Sequence, residues 1–242
     1  MIAIKTERLR KEFKDTVAVK DLNMEIEEGE IFALLGVNGA GKTTAVKMLT
    51  TVLKPTSGDA FILGNSVVNS AGNVRECIDV SFQETSIAKK LTVKENIEFY
   101  ASLCGLNAEK TAERIKELTE KFGFSTVIDK RAGKLSGGWQ RKLSIALALV
   151  KNPKILFLDE PTLGLDVISR RELWKIIKSL KSNTTVILTT HYMEEVEELA
   201  DRVGVMNGGE ILFCGTKEEL YKATGKNGVE DAFIEIVGGG KL

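Results

Sequence analysis

Proline is scarce in this 242-residue chain, with only Pro55, Pro153 and Pro161, and histidine is scarcer still, His191 standing alone. No Gly/Ser-rich linker divides the chain, which therefore reads as one large domain or one domain with a smaller lobe. Cys77, Cys104 and Cys214 are widely spaced and odd in number. They offer neither paired metal spacing nor a disulfide framework, and they fit a reducing compartment. Charge of neither sign is in excess, since 34 Lys and Arg balance 34 Asp and Glu. That balance argues against nucleic-acid binding by bulk electrostatics, which needs surplus positive charge to release counterions from phosphates. No apolar run approaches the roughly 18 residues that cross a bilayer, and the opening MIAIKTERLR is charged where a secretory leader needs apolar residues. The expectation is a soluble cytosolic protein that does not bind nucleic acid. With 43% apolar residues, it can bury a substantial core.

Patterning supplies the architecture. Ile2–Leu9, Leu22–Ile26 and Ile31–Leu35 read as strands, a helix is predicted from Lys42 to about Leu53, and a short strand at Ala60–Leu63 follows a turn at Ser57-Gly58-Asp59. Val93, Ile97, Tyr100 and Cys104 share one helical face, as do Ala112, Ile115, Leu118 and Phe122 beyond a break at Gly105-Leu106-Asn107, so 85–135 reads as a mostly helical insertion. Buried strands then resume at Ile155–Leu158 and Val186–Leu188, with helices marked by Leu173, Ile176, Ile177 and Leu180 and by Met193, Val196 and Leu199. A hairpin, Val203–Met206 and Ile211–Phe213, turns at Asn207-Gly208-Gly209. There is no internal repeat, and Gly238–Gly240 is the one low-complexity stretch.

Chemistry concentrates at strand ends. Gly36-Val-Asn38-Gly39-Ala40-Gly41-Lys42-Thr43 fits G-x-x-x-x-G-K-[ST] between a predicted strand and a predicted helix, the setting this phosphate cradle requires. Its glycines let backbone N–H groups converge on phosphate oxygens. Lys42 supplies a cation for the β- and γ-phosphates, and the Thr43 hydroxyl suits Mg²⁺. Asp159 and Glu160 close a buried strand: the first suits Mg²⁺, the second an attacking water. His191 lies just past another buried strand, where ligands of α/β folds gather, and is read as a γ-phosphate contact that holds the water–Glu160 geometry. Gln83, at the start of the helical insertion, could reach metal or water from a second lobe.

Leu135-Ser136-Gly137-Gly138-Trp139-Gln140 opens a helix shortly before Asp159-Glu160, and a Ser-Gly-Gly turn there is another anion nest. Phosphate cradle, Gln83, this turn, the acidic pair, Asp166 in Leu163-Gly-Leu-Asp166, and His191 together resemble the ATP-binding subunits of ABC transporters, over Ile2 to about Lys217. The resemblance implies an α/β fold: a P-loop NTPase core with a mainly parallel sheet, an N-terminal antiparallel β subdomain and an inserted α-helical subdomain. The expected division is 1–84 and 136–215 for the core with its β subdomain, 85–135 for the helical lobe and 216–242 for a helical tail.

The same resemblance implies ATP and Mg²⁺ as ligands and ATP hydrolysis as the activity. Gly36, Asn38, Gly39, Ala40, Gly41, Lys42, Thr43 and Thr44 would hold phosphates, with Phe13 and Val19 at the adenine. Ser136, Gly137 and Gly138 would face ATP held by a second subunit in a head-to-tail dimer, and Asn38 would meet Asp166 across it. Thr43, Gln83 and Asp159 would hold the metal, and Glu160, His191, Lys42 and Gln83 would carry catalysis. An integral-membrane permease would dock on Glu84–Tyr100, placing the protein peripherally at the cytoplasmic face. Thr92–Asn96, Phe99-Tyr100 and the tail around Glu230–Phe233 resemble exporters of drugs, lipids or polysaccharides whose permease is a separate chain. Trp139 stands where many members carry glutamine and Phe82 where proline is frequent, neither removing a phosphate ligand; Lys134 before the signature and an Asp129–Gly133 stretch without the acidic pattern of many fused exporters leave coupling details open. Phe13 as simple strand packing also stays open. So do two other functions, a soluble ATPase of this type acting on ribosomes or DNA, and a nucleotide-bound assembly scaffold.

Overall fold

The computed structural model describes residues 1–181 and 183–239. Two sheets organise it. The N-terminal sheet is antiparallel and takes the order β2 (Thr16–Glu27), β1 (Ile2–Phe13), β4 (Ser57–Ile62), β5 (Asn65–Ser66). The larger sheet runs β10 (Glu210–Thr216), β9 (Arg202–Asn207), β3 (Ile31–Leu35), β8 (Thr185–Thr190), β7 (Ile155–Asp159), β6 (Ile78–Ser81). From β9 to β6 every pairing is parallel, and β10 adds an antiparallel edge.

Continuous apolar runs make the central strands because both faces of the larger sheet are covered. Ile31, Ala33 and Leu35 point into one core while Phe32 and Leu34 point into the other. The first core gathers α5 (Gly137–Ala148), α6 (Val167–Leu180), α7 (Met193–Leu199) and α9 (Val229–Val237), together with the helical lobe α3 (Val93–Leu103) and α4 (Ala108–Phe122). The second joins α1 (Lys42–Leu49) to the antiparallel sheet. The helical lobe starts and stops on strong local signals. Thr92 makes a capping box with Glu95, Asn107 caps α4 from its side chain, and Gly123 ends α4 in the left-handed region.

Several sequence expectations need adjustment. The strands β1 and β2 run longer than their apolar residues suggested. Ser57-Gly58-Asp59 is no free turn but the first half of β4, beside a bulge where Arg8 takes φ 48° and Gly58 φ 75°. A Cβ at Gly58 would lie 2.1 Å from the Arg8 carbonyl oxygen, so the strands approach this closely only through glycine. The helix expected to reach Leu53 ends at Leu49, where Thr50 is its C-cap and Thr51 turns left-handed at φ 60°. The seven-residue α2 (Ala71–Cys77) gave no sequence signal, since Val74 is its only buried residue. The tail consists of α8 (Lys217–Thr224) and α9, and residues 240–242 of the expected tail lie outside the described residues.

The tail is fastened to α7 at Glu197, whose carbonyl accepts from the Lys217 ammonium at 2.7 Å. Glu197 accepts from the Tyr221 hydroxyl at 2.8 Å and from the Val229 N–H at 2.8 Å, the latter opening α9. Burial first, then the hydrogen bond to Glu197, holds the Tyr221 phenol well above its usual range.

Candidate functional site

The carboxyl ends of β3, β7 and β8 meet at one edge of the sheet, where the chain order reverses, and the cradle Gly36–Thr43 leaves β3 there. A cleft of about 610 Å³ opens over it, walled by Thr16, Val17 and Ala18 of β2, by Gly208 and Gly209 of the β9–β10 turn, and by Gln83, Glu160, Leu163 and His191. The cradle's shape is forced by its surroundings. A Cβ at Gly36 would stand 2.3 Å from the Met206 carbonyl oxygen, and one at Gly41, where φ is 107°, 2.4 Å from that of Ala18. Gly41 is also the N-cap of α1 and brings no side chain to it. The first N–H groups of that helix, Lys42, Thr43 and Thr44, therefore have no intrahelical acceptor and sit at the positive end of its dipole.

Lys42 is buried, its ammonium donating to the carbonyls of Gly36 at 2.7 Å and Val37 at 3.2 Å. The Glu160 carboxylate lies between two partners, with Oε1 3.4 Å from Lys42 Nζ and Oε2 2.8 Å from His191 Nδ1. Glu160 is held there by a left-handed backbone, φ 48°. That conformation costs a non-glycine residue about 1 kcal/mol and marks a position fixed by what it must present. Its N–H donates to the Thr189 carbonyl at 3.2 Å, which ties the end of β7 to β8.

Asp159 Oδ1 accepts from the Thr43 hydroxyl at 3.1 Å and from the Thr189 hydroxyl at 2.6 Å. A hydroxyl and a carboxylate in contact at the cleft are hard oxygen donors of the kind magnesium takes beside phosphate and water. Gln83 lines the same cleft and a second hollow shared with Thr43 and Asp159. The donor set fits the metal expected from the sequence.

Other expected residues lie elsewhere. Val19 is fully buried in the second core and cannot line a nucleotide site. Register shifts in the β1–β2 ladder between Leu9 and Glu12 place bulges in β2, and Val17 and Ala18 take the cleft-facing positions instead. Phe13 is 46% exposed beneath the Lys11 ammonium and pairs with Thr16, so it stands at the rim and not in the wall. Asn38 is exposed at the cradle tip. Ser136, Gly137 and Gly138 are absent from the cleft of their own chain. Ser136 is the exposed N-cap of α5 with no side-chain capping bond. Trp139 turns away from this turn toward Phe124, beneath the Lys142 ammonium at 4.5 Å. Asp166 is exposed and caps α6, accepting from the N–H groups of Ile168 and Ser169 and from the Ser169 hydroxyl. These bonds hold its carboxyl below its usual range.

Sequence reading missed Arg141, in the second turn of α5. Its guanidinium, 4% exposed, donates to the carbonyls of Phe82 at 2.6 Å, Gln83 at 3.2 Å, Pro161 at 2.8 Å and Asp159 at 2.8 Å. Burial pushes it down to about 10, against the pull of the Asp159, Glu195 and Glu160 carboxylates, so it remains a cation at neutral pH. One side chain on the helix of the Ser-Gly-Gly turn thus braces the Gln83 loop against the end of β7. Thr189, Thr162 and Glu195 were missed as well. An arginine followed by lysine in an apolar helix was the only available signal, and it does not reveal carbonyl partners remote in sequence.

Residues 19–163 match the family described as ABC transporter. The chain is 40% identical over 226 residues to the daunorubicin/doxorubicin resistance ATP-binding protein DrrA of Streptomyces peucetius, covering 93% of this chain and 68% of that protein. The chain belongs to the ABC transporter family. It is 43% identical over 226 residues to the human phospholipid-transporting ATPase ABCA3, but those residues, 92% of this chain, span only 13% of the relative. Among solved structures it resembles cbiO1 from Clostridium perfringens, part of the ABC transporter complex cbiONQ, with a TM-score of 0.84, 30% identity and 91% of each chain covered. The α/β fold with its P-loop core is the one this family uses, and the chain is an ATP-binding unit homologous to ATP-binding proteins such as DrrA.

Proposed function

We propose that the chain is the ATP-hydrolysing unit of an exporter in the drug and lipid branch of this family. It would act as a head-to-tail pair beside an integral-membrane permease at the cytoplasmic face. The observation that carries this reading is Glu160, whose carboxylate stands between Lys42 and His191 at the mouth of the glycine cradle. DrrA and ABCA3, named for drug resistance and phospholipid transport, support the exporter branch.

The residues divide the work. Gly39, Gly41, Thr43 and Thr44 offer N–H groups to the phosphates, Gly36 and Ala40, whose own N–H groups donate to the Thr190 and Val37 carbonyls, shape the loop together with Asn38, and Lys42 adds a cation at the γ-phosphate. Thr43, Asp159 and Gln83 would hold magnesium, which when bound neutralises charge on the phosphate oxygens. Glu160 orients the attacking water and takes its proton as the new P–O bond forms and the bond to the leaving diphosphate breaks. His191 fixes the Glu160 carboxylate through Nδ1 and keeps Nε2 for the γ-phosphate. Positioning and electrostatics supply most of the catalysis in such a loose transition state. Ser136, Gly137 and Gly138, turned away from their own cradle, would close over the nucleotide of a second copy, and its Asp166 would approach Asn38. The division into core, helical lobe 85–135 and tail follows the same scheme, the lobe carrying the permease contact near Glu84–Tyr100.

The test uses tagged Glu160→Gln protein extracted from host membranes in mild detergent with ATP. A multi-spanning membrane protein recovered in stoichiometric amount, with hydrolysis reduced at least about 100-fold, is the expected outcome. Rapid turnover in this variant would remove Glu160 from its role, and recovery of ribosomal or DNA-associated proteins would overturn the transport assignment.

A further inference from the structure

Glu195 is the most deeply buried acid of the chain, with no accessible surface, and the hydrolytic scheme above makes no use of it. It sits in the first turn of α7, four residues after His191. Its Oε1 accepts from the Thr162 hydroxyl at 3.0 Å and from the Trp174 indole N–H, on α6, at 3.3 Å. Its Oε2 is buried without a hydrogen-bond partner of ordinary geometry, alongside the Thr190 hydroxyl. Thr162 is itself 1% exposed and lies two residues beyond Glu160.

The start of α7 therefore grips the strained turn after β7 at two points. His191 holds the Glu160 carboxylate, and Glu195 holds Thr162 on the far side of Pro161. Trp174 ties the same carboxyl to the helix that Asp166 caps. A charged partner for Glu195 is lacking among the described residues, because Arg141 spends its donors on four carbonyls. Burial accordingly favours the neutral acid.

Resting on the ATPase reading, we propose that Glu195 is a positioning residue for hydrolysis. Through its bonds to Thr162 and Trp174 it keeps the Glu160–Thr162 turn in the left-handed shape that aims Glu160 at the water and at His191. It touches no substrate. It acts on the angle of the catalytic carboxylate, where small displacements are costly.

The experiment measures kcat, the KM for ATP and thermal unfolding for the parent, Glu195→Gln, Glu195→Leu, Thr162→Val, Thr162→Ser and the Leu/Val double variant. Glu195→Gln keeps an oxygen to accept both bonds and should hold kcat within about threefold of the parent. Glu195→Leu and Thr162→Val should each lower kcat about 10- to 100-fold with KM little changed. The double variant should be no worse than the poorer single one, since both cut the same bond. Parental kcat in Thr162→Val, or in a folded Glu195→Leu, would overturn the proposal, as would losses that multiply in the double variant. Should Glu195→Leu fail to fold, the Thr162 pair decides: loss in Val with recovery in Ser supports the proposal. A parent that binds ATP but never hydrolyses it would overturn the ATPase reading and this inference with it.

Discussion

Two glycine-rich turns open helices in this chain, and they are built on opposite plans. The cradle before α1 is enclosed: Gly36 and Gly41 are pressed against backbone carbonyls, Lys42 is buried, and Glu160 and His191 complete it within one chain. The turn before α5 is open, since a Cβ at Gly137 would meet nothing within 4 Å and Ser136 caps its helix without a side-chain bond. Both present free N–H groups to an anion. The first is walled by its own chain, and the second lies open beside Ser136 and Gly137.

The sharpest test of that contrast is a matched pair of alanines. Gly41→Ala forces a Cβ into the Ala18 carbonyl at a φ that L-residues rarely adopt, and should cost about 3 kcal/mol of stability together with ATP binding. Gly137→Ala should change stability by less than about 0.5 kcal/mol and leave ATP affinity of the single chain intact, while lowering ATP-driven dimerisation. Denaturant melts, nucleotide titration and light scattering read the three quantities. Equal behaviour of the two variants would erase the distinction.

Next in size is Arg141, which reaches from the helix of the second turn to the Gln83 loop and the end of β7. Arg141→Leu strips donors from four carbonyls, those of Pro161 and Asp159 buried, and should destabilise by about 2–3 kcal/mol. Arg141→Lys, a point charge without the planar fork, should recover only part of this. Urea unfolding measures both, and a neutral Leu variant would show that the brace between the Gln83 loop and β7 is idle.

The cradle, the acidic pair and His191 were legible in the sequence because each is a local pattern whose meaning depends on an adjoining strand end. Arg141, Thr162 and Glu195 were not, because a buried polar residue shows its role only through partners brought together by folding, as Arg141 is with Phe82 and Asp159. Val19 was placed at the adenine by resemblance, beside Phe13; bulges in β2, which no local pattern announces, bring Val17 and Ala18 to the cleft and leave Val19 in the core. The fold itself was readable from the apolar runs of β3, β7 and β8. The missed α2 is too short and too polar to leave a periodic trace.

The smallest expected effect concerns pH. Burial raises the Glu195 carboxyl above its ordinary 4.5, and the hydroxyls of Thr190 and Thr162 and the Trp174 N–H offset only part of that rise. An acid raised on folding contributes stability that is present below its unfolded value and lost as pH rises through its native one. Parent protein should therefore lose stability relative to Glu195→Gln from about pH 4.5 upward, and chemical unfolding across that range follows the difference. Parallel curves would mean that Glu195 is ionised in the fold.

The seven residues of α7 are too few to hold a helix on their own. Its N-terminal turn is pinned to the turn after β7 through Glu195, and its C-terminal half to the tail through Glu197. Order in this segment is thus borrowed from both sides. Amides of α7 and those of α9 should exchange with solvent as one cooperative unit, more slowly than the loops and sooner than the central strands. The tail, distant from the cradle in sequence, is thus part of what orders the helix that follows His191.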